Sequence, residues 1–83
     1  MRGLTVRQRQ TLLLAAAGNT NAGIAVRLGI HPDTVNRHLS ETYRQLGARD
    51  RTHAVALAIY HGHITLADLT AIATANQTQE AAA

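Results

Sequence analysis

The sequence predicts an all-α protein. Apolar residues recur at three- and four-residue spacing along most of the chain, and no segment shows the alternation typical of a β-strand. Glycine and proline lie between the amphipathic segments, at points where helices would start or stop. With 83 residues, of which 46% are hydrophobic, the chain can bury one modest core. We expect a four-helix domain over residues 1–64 and a C-terminal helical extension over residues 65–83.

Capping residues mark the first two helices. Thr5 is followed three residues later by Gln8, which is the spacing of a capping box. The helix that begins there should continue through "VRQRQTLLLAAA" until Gly18 ends it. Thr20 can cap a short second helix over about residues 21–28.

The third helix follows a turn at Gly29, a residue that tolerates the left-handed backbone conformation. Pro32 suits the first helical position, because the N–H that proline lacks is not needed there. We expect the third helix to run from Pro32 to about Leu46, with Gly47 at its end.

Two further helices complete the prediction. Asp50 can cap a fourth helix over about residues 51–61, closed by Gly62. Thr65 and Asp68 frame a fifth helix through "LADLTAIATA". The closing segment "NQTQEAAA" is polar and then alanine-only, so we expect it to fray.

The second and third helices together predict a helix-turn-helix unit. Such a unit crosses its axes steeply and needs a small residue where the helices approach, and Ala25 occupies that position. The residues expected to be buried are Ile24, Leu28, Ile30 and Val35. The alternative is two core helices that pack this way without a role in binding.

The third helix divides into two faces at 3.6 residues per turn. Its inward stripe comprises Val35, Leu39, Thr42 and Leu46, with His38 and Tyr43 beside it. Its outward residues are Asp33, Asn36, Arg37, Ser40, Glu41 and Arg44. In the DNA major groove arginine binds guanine and asparagine binds adenine through paired hydrogen bonds, which favours Arg37 and Asn36 as base contacts. A solvated face is the alternative, which we prefer for Glu41, and Asp33 can instead serve the helix dipole.

The charge balance favours a polyanionic partner. All eight cationic side chains are arginine, against five acidic ones, which gives a formal charge of +3 and an isoelectric point near 10.7. Such a balance is typical of nucleic-acid-binding domains, and a solvated basic surface is the alternative. The absence of cysteine excludes disulfide bonds and cysteine-ligated zinc. The longest apolar run, residues 12–17, is too short to span a membrane, and "MRGLTVRQ" has no signal-type apolar region, so we expect a cytoplasmic protein.

Catalysis and metal binding have little support in the sequence. The five histidines lack the i, i+4 spacing of a helical pair of metal ligands. The single serine, Ser40, has no histidine or carboxylate at a spacing typical of an activated nucleophile. We therefore expect no metal, no cofactor and no enzymatic activity, and we expect His61 and His63 to be surface groups.

Two stretches, "LTVRQRQTLLLAAAGNTNAGIAVRLGI" and "TVNRHLSETYRQLGARDRTHAVALA", together with Gly62, follow one ordered pattern over about residues 4–64. The matching residues are Leu4, Thr5, Arg7, Gly18, Asn21, Ile24, Ala25, Leu28, Thr34, Val35, His38, Leu46, Gly47, Arg51, Thr52, Ala54 and Val55. In these residues the chain resembles the LuxR-type (GerE-like) helix-turn-helix domains that end many bacterial response regulators and quorum-sensing receptors. The resemblance implies a transcriptional regulator that binds double-stranded DNA as a homodimer.

The resemblance also implies roles for elements and residues. The third helix would lie in the major groove, and the fourth would form the dimer interface. The expected base contacts are Asn36, Arg37 and Ser40, to which we add Asp33. The expected phosphate contacts are Arg7, Thr20, Asn21, Thr34, His38, Arg44, Arg51 and Thr52. RNA polymerase or another regulator is a further expected partner.

The fourth helix carries apolar residues on more than one face. Ala54, Val55, Ala58 and Ile59 can serve the core, whereas Leu57 and Tyr60 are expected to stay exposed and to attract a partner. The stripe of Leu66, Leu69 and Ile72 that follows either folds back as a lid or enlarges a dimer interface. The expected dimer-interface residues are Leu57, Tyr60, His61, Leu66 and Leu69.

Departures from the family pattern leave a second function open. The family usually has lysine at Asn36 and at Gln45, lysine and glutamate at Ala22 and Gly23, and serine at His31. Several phosphate contacts are therefore missing. The alternative function is a protein–protein interaction module that retains the fold with weak or no DNA binding.

Overall fold

The computed structural model describes residues 3–72 of the chain. Its helices are α1 (Val6–Ala16), α2 (Asn21–Leu28), α3 (Pro32–Leu46) and α4 (Arg51–Tyr60), and residues 66–72 form a further helical segment, α5. None of the described residues lies in a strand. The all-α fold and the predicted order of helices are confirmed. The expected fraying of "NQTQEAAA" concerns residues outside the described part.

Local capping explains why the helices begin where the sequence predicted. The Thr5 hydroxyl accepts a hydrogen bond from the Gln8 main-chain N–H at 3.1 Å, and the Gln8 side chain accepts one from the Thr5 N–H at 3.0 Å, which completes the capping box. The Thr20 hydroxyl caps α2 through the Gly23 N–H. The Asp50 carboxylate caps α4 through the His53 N–H at 2.8 Å. Helix α4 ends at Tyr60, one residue earlier than predicted.

The turn between α2 and α3 has the expected geometry. Gly29 adopts the left-handed conformation with φ of +67°, which a residue with a Cβ disfavours. The Ile30 N–H then donates to the Ala25 carbonyl at 3.0 Å. Ala25 is buried, as the close approach of the two helices requires. The helix-turn-helix prediction is therefore confirmed.

Two apolar clusters form the interior. The α2 cluster comprises Leu14, Ala15, Ile24, Ala25, Val35 and Leu39. The α4 cluster comprises Leu12, Leu13, Leu46, Ala54, Ala58 and Ile64. Helices α1 and α3 contribute to both, and Tyr43 and Ile72 pack against both. The helix-turn-helix unit therefore has a core of its own, beside the one that holds α4.

Segment α5 folds back onto the domain. The Arg9 guanidinium lies 2.8 Å from the Asp68 carboxylate and also donates to the His63 carbonyl at 3.1 Å. Leu69 packs against the α4 cluster. These contacts favour the lid among the two alternatives for this segment, although Leu66 remains 71% exposed.

Reciprocal capping hydrogen bonds at the start of α5 also lower the pKa of a carboxyl group. The Thr65 N–H donates to the Asp68 carboxylate at 2.9 Å, and the Thr65 hydroxyl accepts from the Asp68 N–H at 3.1 Å. The Thr65 main-chain hydrogen bond, assisted by Arg9, holds the pKa of Asp68 below its usual value of 3.8. The carboxylate is therefore charged under ordinary conditions.

The buried and exposed sides of α4 differ in part from the sequence prediction. Leu57, expected to be exposed, is half-buried and packs against the α4 cluster, whereas Ile59, expected in the core, is 36% exposed. Tyr60 is 82% exposed, as predicted. His63, expected at the surface, is half-buried, and no described residue supplies a hydrogen bond to its buried Nε2 atom. The error in the prediction arises because Ile64 and α5 cover the side of α4 that carries Leu57.

Candidate nucleic-acid interface

Helix α3 has the two faces that its sequence predicts. Val35, Leu39, Thr42 and Leu46 are buried, and His38 and Tyr43 are half-buried beside them. The outward side chains are all exposed: Asp33, Asn36, Arg37, Ser40, Glu41 and Arg44. One side of α3 is thus fixed in the core and the other offers hydrogen-bonding groups to solvent. The four predicted base contacts lie together on that outward side.

The first turn of α3 is capped by a histidine. The His31 ring accepts a hydrogen bond from the Asp33 main-chain N–H through Nδ1 at 3.0 Å, and the same nitrogen lies 3.7 Å from the Asp33 carboxylate. The N–H groups of Thr34 and Val35 bond to the His31 carbonyl. This capping role was not predicted, although the position directly before Pro32 is where an N-cap belongs.

The predicted phosphate contacts divide into three groups. Arg44, Thr52 and Thr20 are exposed, although the Thr20 hydroxyl already accepts the capping hydrogen bond of α2. Arg7, Thr34 and His38 are half-buried. The remaining two, Arg51 and Asn21, are bonded to each other.

Arg51 and Asn21 are half-buried and hydrogen-bonded within the protein. The Arg51 Nη2 atom donates to the Asn21 side-chain oxygen at 2.8 Å, and Nη1 donates to the Asn19 carbonyl at 3.1 Å. Both bonds are partly buried. Both side chains therefore already have partners within the protein, and their contact with phosphate stays a prediction. Sequence reasoning missed this pair because the partners are 30 positions apart.

A shallow open groove runs between α1 and α4. Its volume is about 430 Å³, and its lining residues are Ala15, Ala16, Arg51, Thr52, Val55, Ala56 and Ile59. Most of these side chains are apolar, so the groove exposes an apolar part of α4. Of the predicted dimer-interface residues, Tyr60, His61 and Leu66 are exposed, whereas Leu57 and Leu69 contribute to the core. Two of the five predicted interface side chains thus pack within the domain, and the dimer interface itself stays a prediction.

The described residues contain neither a metal-binding cluster nor a membrane-spanning helix. Within residues 3–72, no group of three or more histidine, aspartate or glutamate side chains is arranged to hold a metal ion. Over the same range, no helix is both long enough and apolar enough to cross a membrane.

Comparison with known proteins identifies the domain. Residues 2–58 match the family model described as bacterial regulatory proteins, luxR family. The chain belongs to the luxR family. The family match covers the capping box of α1, the helix-turn-helix unit and most of α4, and it confirms the resemblance derived from the sequence. The matched segment is a DNA-binding domain of the transcriptional-regulator type.

Relatives of the luxR-type domain are transcriptional regulators. The chain is 44% identical over 59 residues to the probable transcriptional regulatory protein SgaR of Hyphomicrobium methylovorum, covering 71% of this chain and 28% of that protein. It is 45% identical over 58 residues to the transcriptional activator protein BjaR1 of Bradyrhizobium diazoefficiens, covering 70% of this chain and 24% of BjaR1. A match to the transcriptional activator protein AhyR of Aeromonas hydrophila is 37% identical over 73 residues, covering 88% of this chain and 28% of AhyR. The chain thus spans less than a third of the length of these relatives.

Proposed function

We propose that this luxR-type domain is a sequence-specific regulator of transcription that inserts α3 into the major groove of double-stranded DNA and acts as a homodimer. The observation that carries the proposal is the division of α3, with four residues buried and six polar or charged side chains exposed on the opposite side. A major groove admits one α-helix. The net charge of +3 supports attraction to a polyanion.

Base recognition is assigned to the outward side of α3. Arg37 has the guanidinium fork that binds guanine, and Asn36 has the amide that binds adenine. Ser40 and Asp33 lie on the same outward side and complete the proposed set of base contacts. Asp33 is the partner of the His31 cap, so its main chain is fixed while its side chain remains exposed.

Phosphate contacts are assigned to residues around α3. The proposed set is Arg7, Thr20, Thr34, His38, Arg44 and Thr52. Arg51 and Asn21 leave this set because they bond to each other. Arginine and threonine contacts of this kind position a protein on DNA without selecting a sequence.

The homodimer is assigned to the groove between α1 and α4. One recognition helix covers few base pairs, and a second copy related by a two-fold axis would place a second helix about one DNA turn away. Ala56 and Ile59 are exposed within the groove and offer apolar surface for that contact. Two relatives are named transcriptional activators, and on that basis RNA polymerase or another regulator is included as a proposed partner.

Selection from a random DNA pool followed by a salt titration tests the proposal. The expected result is an enriched half-site motif, with log affinity falling as log salt rises in proportion to the number of phosphate contacts. Ala56→Glu should make the protein monomeric by sedimentation, whereas Ala71→Glu, exposed on α5 outside the groove, should not. If the parent protein is already monomeric both free and on DNA, the groove interface is wrong.

A protein–protein interaction module is the second candidate. The observation that favours it is the outer surface of α2, where Val26 is 82% exposed beside the exposed Ala22, one turn earlier. Apolar side chains on this surface of α2 offer no hydrogen bond or charge to a DNA phosphate. Failure to bind any DNA at low ionic strength would select this candidate over the regulator.

A further inference from the structure

Asn19 joins α1 to α2. Its side-chain amide donates to the Leu14 carbonyl in the last turn of α1 at 2.8 Å, and its side-chain oxygen accepts from the Arg27 Nε atom at 3.1 Å. The Asn19 main-chain N–H also donates to the Leu14 carbonyl. The short connection before α2 is therefore tied at both ends.

Arg51 brings α4 to the same point. Arg51 is the first residue of α4. Its guanidinium donates one hydrogen bond to the Asn19 carbonyl and another to the Asn21 side-chain oxygen. Hydrogen bonds from a charged donor are stronger than neutral ones, and the planar fork accepts only a narrow range of geometries. Three helices are thus fixed around the N-terminus of α2.

Helix α2 needs such support. It has eight residues, and only Ile24 and Ala25 are buried. A helix of this length is unstable alone, and apolar contacts are not directional. These two side chains and the half-buried Leu28 hold α2 against the core, and such contacts do not fix its position along its own axis.

We propose that Asn19, Asn21 and Arg51 form a polar clamp that sets the position of α2 relative to α4, and through α2 the position of the recognition helix α3. This inference rests on the proposed DNA-binding function. Arg51 is then a positioning residue and makes no phosphate contact. Because Arg51 also lines the α1–α4 groove, the clamp links the proposed dimer surface to the helix-turn-helix unit.

A double-mutant cycle tests the clamp. Arg51→Lys keeps the charge but loses the two-ended fork, and Asn21→Ala removes its side-chain partner. DNA affinity is measured on a site selected by the parent protein and on a random duplex of equal length, well below the unfolding midpoint of each variant. Each single variant should lose about threefold to tenfold on the selected site and less on the random duplex, and the double variant should lose no more than the worse single one.

The salt dependence separates a clamp from a direct contact. For Arg51→Gln, the slope of log affinity against log salt should match that of the parent, because no phosphate contact is lost. A slope smaller by about one would mean that Arg51 neutralises a phosphate, and it would overturn the inference. Additive losses in the cycle, or equal losses on selected and random DNA, would also overturn it.

Unfolding measurements distinguish the failure of the clamp from the failure of the proposed function. If the parent protein binds no DNA, the proposed function fails, and the positioning role falls with it. The contact between Arg51 and Asn21 is still tested by the same double-mutant cycle, with the thermal unfolding midpoint as the measured quantity. Non-additive shifts of the midpoint for Arg51→Lys and Asn21→Ala support the contact, and additive shifts refute it.

Discussion

Replacing His31 with alanine or with serine separates capping from packing at the start of the recognition helix. The ring is 70% exposed, so little apolar burial is lost when it is truncated. What alanine removes is the 3.0 Å hydrogen bond between Nδ1 and the Asp33 N–H. Loss of an N-cap typically costs about 1 kcal/mol, and we expect that figure for His31→Ala.

Serine should rescue the stability. Its hydroxyl is a good N-cap acceptor, although it lacks the imidazole ring. Thermal unfolding followed by circular dichroism measures both variants, and a loss of about 1 kcal/mol corresponds to a midpoint lower by roughly 4–8 °C in a domain of this size. Exchange of the Asp33 amide proton should accelerate in the alanine variant and stay slow in the serine variant.

Two results would refute the capping role. An unchanged midpoint for His31→Ala would mean that water satisfies the Asp33 N–H as well as the His31 ring does. A serine variant as unstable as the alanine variant would mean that the ring acts by packing.

Three further predictions concern other positions. Gly23→Ala should stabilise the protein by about 0.5–1 kcal/mol, because alanine favours a helix interior more than glycine does. There is room for the added Cβ, which would lie 3.4 Å from the Thr20 hydroxyl oxygen, an ordinary contact. A lower unfolding midpoint would contradict this prediction. Asp68→Asn should lower the midpoint at neutral pH. Since the folded pKa of Asp68 lies below its usual 3.8, its stabilising effect is present above that pH and is lost as the pH falls through the folded value, so a difference between parent and variant that persists in stronger acid would count against it. Arg37→Ala should weaken binding to the selected site by about 1–3 kcal/mol and binding to random DNA by much less; equal losses in a titration of both duplexes would remove Arg37 from base recognition.

Helix boundaries were predictable because their determinants are local. Thr5, Thr20 and Asp50 bond to N–H groups three residues further along the chain, and Pro32 restricts its own backbone. The two faces of α3 were predictable for the same reason. Over its 15 residues, the buried side chains recur at helical spacing and polar or charged side chains lie between them.

Long-range contacts limited the remaining predictions. The sides of α4 were misassigned because all its residues from Ala54 to Tyr60 are apolar or aromatic, and the choice between Leu57 and Ile59 depends on Ile64 and α5. The hydrogen bonds of Arg51 within the protein were not predicted, because an arginine near a predicted DNA interface has the same sequence signature whether it binds phosphate or a neighbouring loop. Its partners, Asn19 and Asn21, belong to a different helix boundary.

The division of the interior into two apolar clusters has a consequence for how the domain opens. We expect each cluster to lose its packing as a separate cooperative unit, and the side chains of Tyr43 and Ile72 pack against both clusters. Native-state hydrogen exchange should therefore resolve two protection levels, one for the amides of α4 and one for those of α2. Shortening Tyr43 to leucine should widen the gap between the two levels, because the units would then fluctuate more independently.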